Sequence, residues 1–171
     1  LIQHYPTQAE VERVVRNAEI VAQLTRPEVL SDPRHAYDVA NAALASGDLG
    51  KANEAISAAI INAYSDMDRY TYRLARSYIG LKENNVEKML QEALAAVGVL
   101  PELRDAYFVA CEAFYRMSKW ASVIEWYERG LAKTPALMSR DQPLAVFTAP
   151  RAQAALAYTH LGKADKALQL V

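Results

Sequence analysis

Asp66 and Asp68, in the stretch SDMD, have the alternate spacing with which two carboxylates hold a divalent cation and the diphosphate it carries. That arrangement normally sits at the edge of a sheet, and no strand is readable around it. Ser65 followed three residues later by Asp68 reads instead as a helix N-cap with an acid in the first turn. The stretch GDLGK at 47–51 touches on a phosphate loop, but its spacing is wrong and Ala52 stands where a hydroxyl residue would be needed. It reads as a turn. His4, His35 and His160 are scattered, with no second His or Cys at ligand spacing, so neither a metal site nor a cofactor is expected. No nucleophile has a base beside it in sequence, and no catalytic residue is assigned. One concentration of reactive types remains: the only cysteine, Cys111, and both tryptophans, Trp120 and Trp126, fall in ACEAFYRMSKWASVIEWYERGLAKTP. That stretch is either a thiol beside an aromatic pocket or a packing motif.

The rest of the chain must decide. Its 171 residues are 52% hydrophobic and 23% charged, an ordinary globular balance with length enough for one sizeable core. Nineteen basic residues against twenty acidic ones give a net charge of −1, which supplies no general attraction to nucleic acid or to an anionic membrane. No apolar run approaches the roughly 18 residues of a membrane helix. A single cysteine forms no internal disulfide, so a reducing, cytoplasmic setting is the expectation. The chain opens LIQHYPTQAE without methionine and its last helix stops mid-stripe at Val171, which together suggest a piece of a longer protein.

Glycine and proline are sparse and alanine is abundant, so helix is favoured nearly throughout. Thr7 and Glu10 have capping-box spacing and open a helix through Leu24, followed by a proline-bounded linker, giving an N-terminal segment over residues 1–31. From residue 32 onward a pattern recurs. Apolar stripes fall at Ala52, Ala55, Ile56, Ala59, Ile60; at Val86, Met89, Leu90, Ala93, Leu94; and at Val123, Trp126, Tyr127, Gly130, Leu131. Each follows a helix marked by Val39, Ala40, Ala43; Leu74, Ala75, Tyr78; or Ala110, Cys111, Phe114, and a last copy has Ala154, Ala155, Tyr158 before Ala167. The stripes begin at Ala52, Val86, Val123 and Ala167, spacings of 34, 37 and 44 residues. The repeats span about 34–64, 67–98, 103–135 and 149–171, with one long connection at 134–149.

A helical hairpin recurring near 34 residues resembles the tetratricopeptide repeat. Tyr107, Ala110, Cys111, Phe114, Val123, Tyr127, Gly130 and Pro135 stand at its large, small, aromatic and terminating positions. The resemblance implies an all-α fold, a right-handed superhelical stack of antiparallel hairpins with about four repeats after an N-terminal helix. It places Cys111 in the small slot that Ala40, Ala75 and Ala155 fill elsewhere, Trp120 at the aromatic turn position with Ser118 as cap, and Lys82 where repeat two should have its turn glycine. The order of parts is similar to the helical repeat region that follows the catalytic domain in certain family 2 glycosyltransferases. The matching parts are AYDVANAALASGDLGKANEAI, RLARSYIGLKENNVEKMLQEAL, the third repeat, and Phe147, Thr148, Pro150 and Arg151 ahead of ALAYTHLGKADKAL.

That resemblance implies a non-catalytic module that organises a sugar-transferring parent and binds a protein, peptide or glycan acceptor. A free-standing adaptor for a peptide partner is the alternative. Carried over position by position, the concave groove of the repeat family would be lined by Tyr37, Asn41, Arg69, Tyr72, Arg73, Arg76, Glu112, Tyr115 and Arg116. Arg69, Arg73 and Arg76 share one helix face, and their guanidinium forks suit carboxylate or phosphate. The competing expectation is that they pair with neighbouring carboxylates such as Asp66, Asp38 or Glu112. Alanine- and leucine-rich faces at an array end also suggest homo-oligomers.

Overall fold

The structure, a computed structural model, describes residues 12, 13, 16, 30–134 and 148–171. Of the expected helix from Thr7 to Leu24 only residues 12, 13 and 16 are described, as helix; His4, Pro135, Phe147 and all but the ends of the 134–149 connection lie outside the described residues. Eight helices are described: α1 (Pro33–Ser46), α2 (Leu49–Ile61), α3 (Asp66–Lys82), α4 (Val86–Val99), α5 (Asp105–Arg116), α6 (Trp120–Leu131), α7 (Pro150–His160) and α8 (Ala164–Leu168). They form antiparallel hairpins, α1 with α2, α3 with α4, α5 with α6 and α7 with α8. Among the described residues the only β-type pairing is an isolated bridge between Leu103 and Thr134. The fold is all-α and tetratricopeptide-like, as the repeat pattern implies.

The chain divides into two compact units, Leu1–Tyr64 and Ser65–Val171. In the first, the Asp32 carboxylate accepts from the Arg34 backbone N–H at 3.0 Å and Pro33 starts α1, a position where its missing N–H is not needed. Asp48 caps α2 in the same way through the Lys51 N–H. The core of this hairpin is the expected set, Val39, Ala40 and Ala43 of α1 against Ala52, Ala55, Ile56, Ala59 and Ile60 of α2, all buried, with Ala36 of α1 added to it.

In the second unit Ser65 caps α3, its hydroxyl accepting from the Asp68 N–H at 3.0 Å and donating to the Asp68 carboxylate at 2.8 Å. The SDMD motif is thus a helix start. Three hairpins follow, with α4 packed on α5 and α6 on α7. One core joins Tyr70 and Leu74 to Met89, Ala93 and Ala96 and on to Ala106, Val109 and Ala110. The next joins Cys111, Val123, Ile124 and Tyr127 to Ala154, Ala157, Tyr158 and Ala167. The α4–α5 connection is tied to the end of α6: the Arg104 Nε donates to the Gly130 and Lys133 carbonyls at 3.2 and 3.1 Å, and the Arg104 N–H donates to the Thr134 carbonyl at 2.8 Å. A cation set on the last carbonyls of a helix also opposes their partial negative charge.

All four hairpins turn alike. A residue in the left-handed region, Gly47 (φ 81°), Asn84 (56°), Ser118 (56°) or Gly162 (70°), ends the first helix, and the second begins two residues on. After each, a backbone N–H reaches back across the turn: Asp48 to the Ala43 carbonyl, Asn85 to Gly80, Lys119 to Phe114 and Lys163 to Tyr158, at 2.8–2.9 Å. These bonds fix the register and correct it in repeat two. The turn residue there is Asn84, not Lys82; Gly80 rather than Tyr78 matches Phe114, Ser77 rather than Ala75 matches Cys111, and Met89 rather than Val86 matches Val123. The repeat spacings become 37, 34 and 44, read from Gly47, Asn84, Ser118 and Gly162. Burial agrees, because Met89, Ala93 and Ala96 are the buried stripe while Leu94 is 39% exposed.

Ser118 is likewise not the cap of α6; that position is Lys119, which makes no side-chain capping bond. A serine at φ 56° carries the steric strain of its Cβ, so Ser118→Gly is expected to stabilise the chain by about 1 kcal/mol. Urea denaturation midpoints of the two proteins measure it.

Candidate functional site

In the first unit the phenol of Tyr37 is pushed up by burial, against the opposing effect of a hydrogen bond with Asn41, so the structure brings these two side chains together. In the second unit the three arginines of α3 separate. Arg69 turns back to Asp66 at 2.7 Å in an exposed pair, one of the pairings expected from sequence, which contributes about 0–1 kcal/mol. Arg73 and Arg76 instead converge on Glu92 of α4. The Arg73 Nη1 donates to one carboxylate oxygen at 2.8 Å, and the Arg76 Nε stands 3.5 Å from the other, an ion contact without a hydrogen bond. The Glu92 side chain is 11% exposed, and both arginine side chains are 29% exposed. Tyr72, on the same helix, is buried and offers a partner little surface.

On α5, Glu112 is also buried, and its carboxylate is consumed internally. It accepts from the Arg116 Nε at 2.6 Å and from the Gln153 side-chain amide of α7. That pair ties α5 to α7 and removes Glu112 from any open groove. Tyr115, half-buried, meets Trp120 edge-on at 5.9 Å, and Trp120 lies flat on His160 at 4.1 Å with 5° between the planes. Tyr115, Trp120 and His160 therefore form one partly exposed patch where α5, α6 and α7 meet.

Cys111 lies under this patch with no solvent exposure. Burial first, and the Glu112 charge second, push its thiol up to about 12, and its sulfur sits 3.5 Å from the Val123 carbonyl and 3.9 Å from the Gln153 amide oxygen. It fills a small close-packed slot and has no thiolate to offer near neutrality. Trp126 is a packing residue too: it meets Tyr107 at 5.5 Å and Phe114 at 6.0 Å, under the Arg129 guanidinium at 4.2 Å. Among the described residues no group of three or more His, Cys, Asp or Glu side chains is placed to hold a metal, and no helix is long and apolar enough to cross a membrane.

Sequence reading passed over Glu92 and Ser77. The signal was present in the corrected register: Glu92 occupies the stripe position held by Ala55, Trp126 and Leu170, and a carboxylate there is out of pattern.

No protein-family model matches the chain, and no curated protein sequence matches it. Among solved structures it is similar to one described as the crystal structure of MamA. The TM-score is 0.65 at 12% identity, covering 98% of this chain and 92% of that one. A second, the crystal structure of MamA protein, gives a TM-score of 0.62 at 12% identity over 94% and 88%. At that identity the likeness speaks for the fold, and it extends over nearly the whole of both chains: this is a tetratricopeptide-like helical-repeat array.

Proposed function

We propose that the chain is a non-catalytic interaction module that holds a protein or peptide partner against the first helices of its hairpins. The observation that carries the reading is the distribution of half-exposed arginine and aromatic groups on α3, α5 and α7. Arg73, Arg76, Tyr115, Arg116 and His160 keep solvent-facing surface on helices whose other faces are buried in the core. Aromatic side chains bring large contact area at small entropic cost and arginine brings several directed hydrogen bonds from one planar fork, and both concentrate at interfaces. The order of the repeats, similar to the region behind family 2 glycosyltransferase catalytic domains, makes the module part of a sugar-transferring protein, positioning its acceptor or its catalytic domain. The alternative is a free-standing adaptor, and the coding sequence upstream decides between them: an α/β domain with a two-aspartate motif belongs to the first reading, a second helical array to the other.

A photo-crosslinking residue placed at Tyr115 tests the binding face itself. Adducts with a partner are expected from position 115 and not from Glu125, exposed on the second helix of the same hairpin. Adducts from 125 alone would place the contact elsewhere and end this reading.

A further inference from the structure

Three positions of the second hairpin, Arg76, Ser77 and Glu92, break the pattern of the other three, and Arg73, whose counterpart in the last hairpin is also an arginine, adds a second cation beside them. With the turns as reference, Arg73 stands where the others have Ala36, Tyr107 and Arg151, and Arg76 where they bury Val39, Ala110 and Ala154. Ser77 stands where they bury Ala40, Cys111 and Ala155, and Glu92 where they carry Ala55, Trp126 and Leu170. Polar groups in such slots destabilise a fold unless each finds a partner. Here three do not. The Nε atoms of Arg73 and Arg76 and the Ser77 hydroxyl are shut from solvent and have no hydrogen-bond partner among the described residues. All three are donors, and Glu92 is the acceptor the two arginines share.

The charge balance says what is missing. Two guanidinium groups against one carboxylate leave one positive charge, which a single carboxylate cancels. A dianionic phosphate would overshoot it, setting two negative charges beside the nearly buried Glu92. We infer that Arg73 and Arg76 form a site for one aspartate or glutamate side chain of an acidic partner segment, which meets the exposed ends of the two guanidinium groups and shares them with Glu92, while Ser77, fully buried, is out of its reach. Arg76 is the principal donor, since it makes no hydrogen bond to Glu92, while Arg73 stays with Glu92. About a third of each arginine side chain reaches solvent, so a carboxylate on a methylene stem meets their outer edges without displacing the buried Nε atoms. This inference rests on the interaction-module reading and narrows it to a partner chemistry.

Fluorescence anisotropy of a labelled, C-terminally amidated hexaglutamate with the full chain tests it at low salt, where exposed charges are least screened. The wild type is expected to bind. Arg76→Ala should weaken binding about tenfold or more, and Arg76→Lys should recover only part of the loss. Lys119→Ala, which removes an equal charge from an exposed site, should leave it unchanged. Glu92→Gln keeps the shape and removes the internal anion, so it should bind hexaglutamate several-fold more tightly and admit inorganic phosphate as a competitor, which the wild type resists. Circular dichroism confirms that each variant is folded. The inference is overturned if the wild type ignores hexaglutamate, if Arg76→Ala binds as the wild type does, if phosphate competes equally before and after Glu92→Gln, or if a neutral peptide with a free C-terminus binds as well. Photo-adducts at position 115 that survive Arg76→Ala would keep the interaction module while removing the carboxylate site.

Discussion

Gly130→Val is expected to lower the melting temperature by about 5–10 °C. A Cβ at Gly130 would lie 2.7 and 2.9 Å from two ring carbons of Phe108 and 3.1 Å from the Tyr107 Cβ. The ring has no easy way to give. Tyr127 stacks near one side at 6.2 Å, and the Arg104 guanidinium lies 5.9 Å from the ring centroid while its Nε holds the Gly130 carbonyl. Alanine would recover about 1 kcal/mol of helix propensity, which offsets part of the clash. Valine adds two more methyl groups without that gain, and overpacking of this kind costs about 1–3 kcal/mol. Thermal melts followed by circular dichroism read the difference, with Phe108→Leu as the relieving second change; the pair should be non-additive. A valine variant that melts with the wild type would show that α5 and α6 do not meet as closely as Gly130 allows.

Gly130 also illustrates what the sequence could and could not disclose. Its slot, with Ala59 and Ala96 as counterparts, is visible in the repeat pattern, because small residues recur wherever two helices approach. So are the stripes of repeats one and three and the turn at Gly162. Repeat two was legible only in part, for a local reason. Its left-handed turn residue is Asn84, one of the few types besides glycine that tolerate positive φ, and a search for glycine settles two residues early on Lys82. That shift rotates the assignment of α4 and hides both Met89 as the stripe's first residue and Glu92 as its odd member.

The candidate site divides along the same line. Helix periodicity places Arg69, Arg73 and Arg76 on a shared face from sequence alone. Partners on other helices are another matter. That Arg73 and Arg76 meet Glu92, that Glu112 is spent on Arg116 and Gln153, and that Trp120 lies on His160 depend on which helix packs where. A face count along one helix does not carry that information.

The charge set on α3 and α4 should respond in opposite directions to two kinds of change. Glu92→Ala leaves two guanidinium groups facing each other without their shared acceptor and is expected to destabilise the chain by about 2 kcal/mol. That is less than the 3–5 kcal/mol of a fully buried pair, because roughly a third of each arginine side chain reaches water. Replacing the whole set, with Arg73→Met, Arg76→Leu and Glu92→Leu together, restores hydrocarbon to slots that the other hairpins fill mainly with apolar residues. It also deletes the two unpaired Nε donors. That triple variant should be as stable as the wild type or more so, by about 1–4 kcal/mol, because the desolvation penalty of three charges disappears with them. Urea unfolding of both variants decides the sign. A triple variant weaker than the wild type would mean that the charges stabilise the hairpin and need no further reason to be there. A stronger one that no longer takes up hexaglutamate would mean that this hairpin gives up stability for binding, since the two arginines that share the single Glu92 carboxylate are the ones whose remaining charge an acidic partner would neutralise.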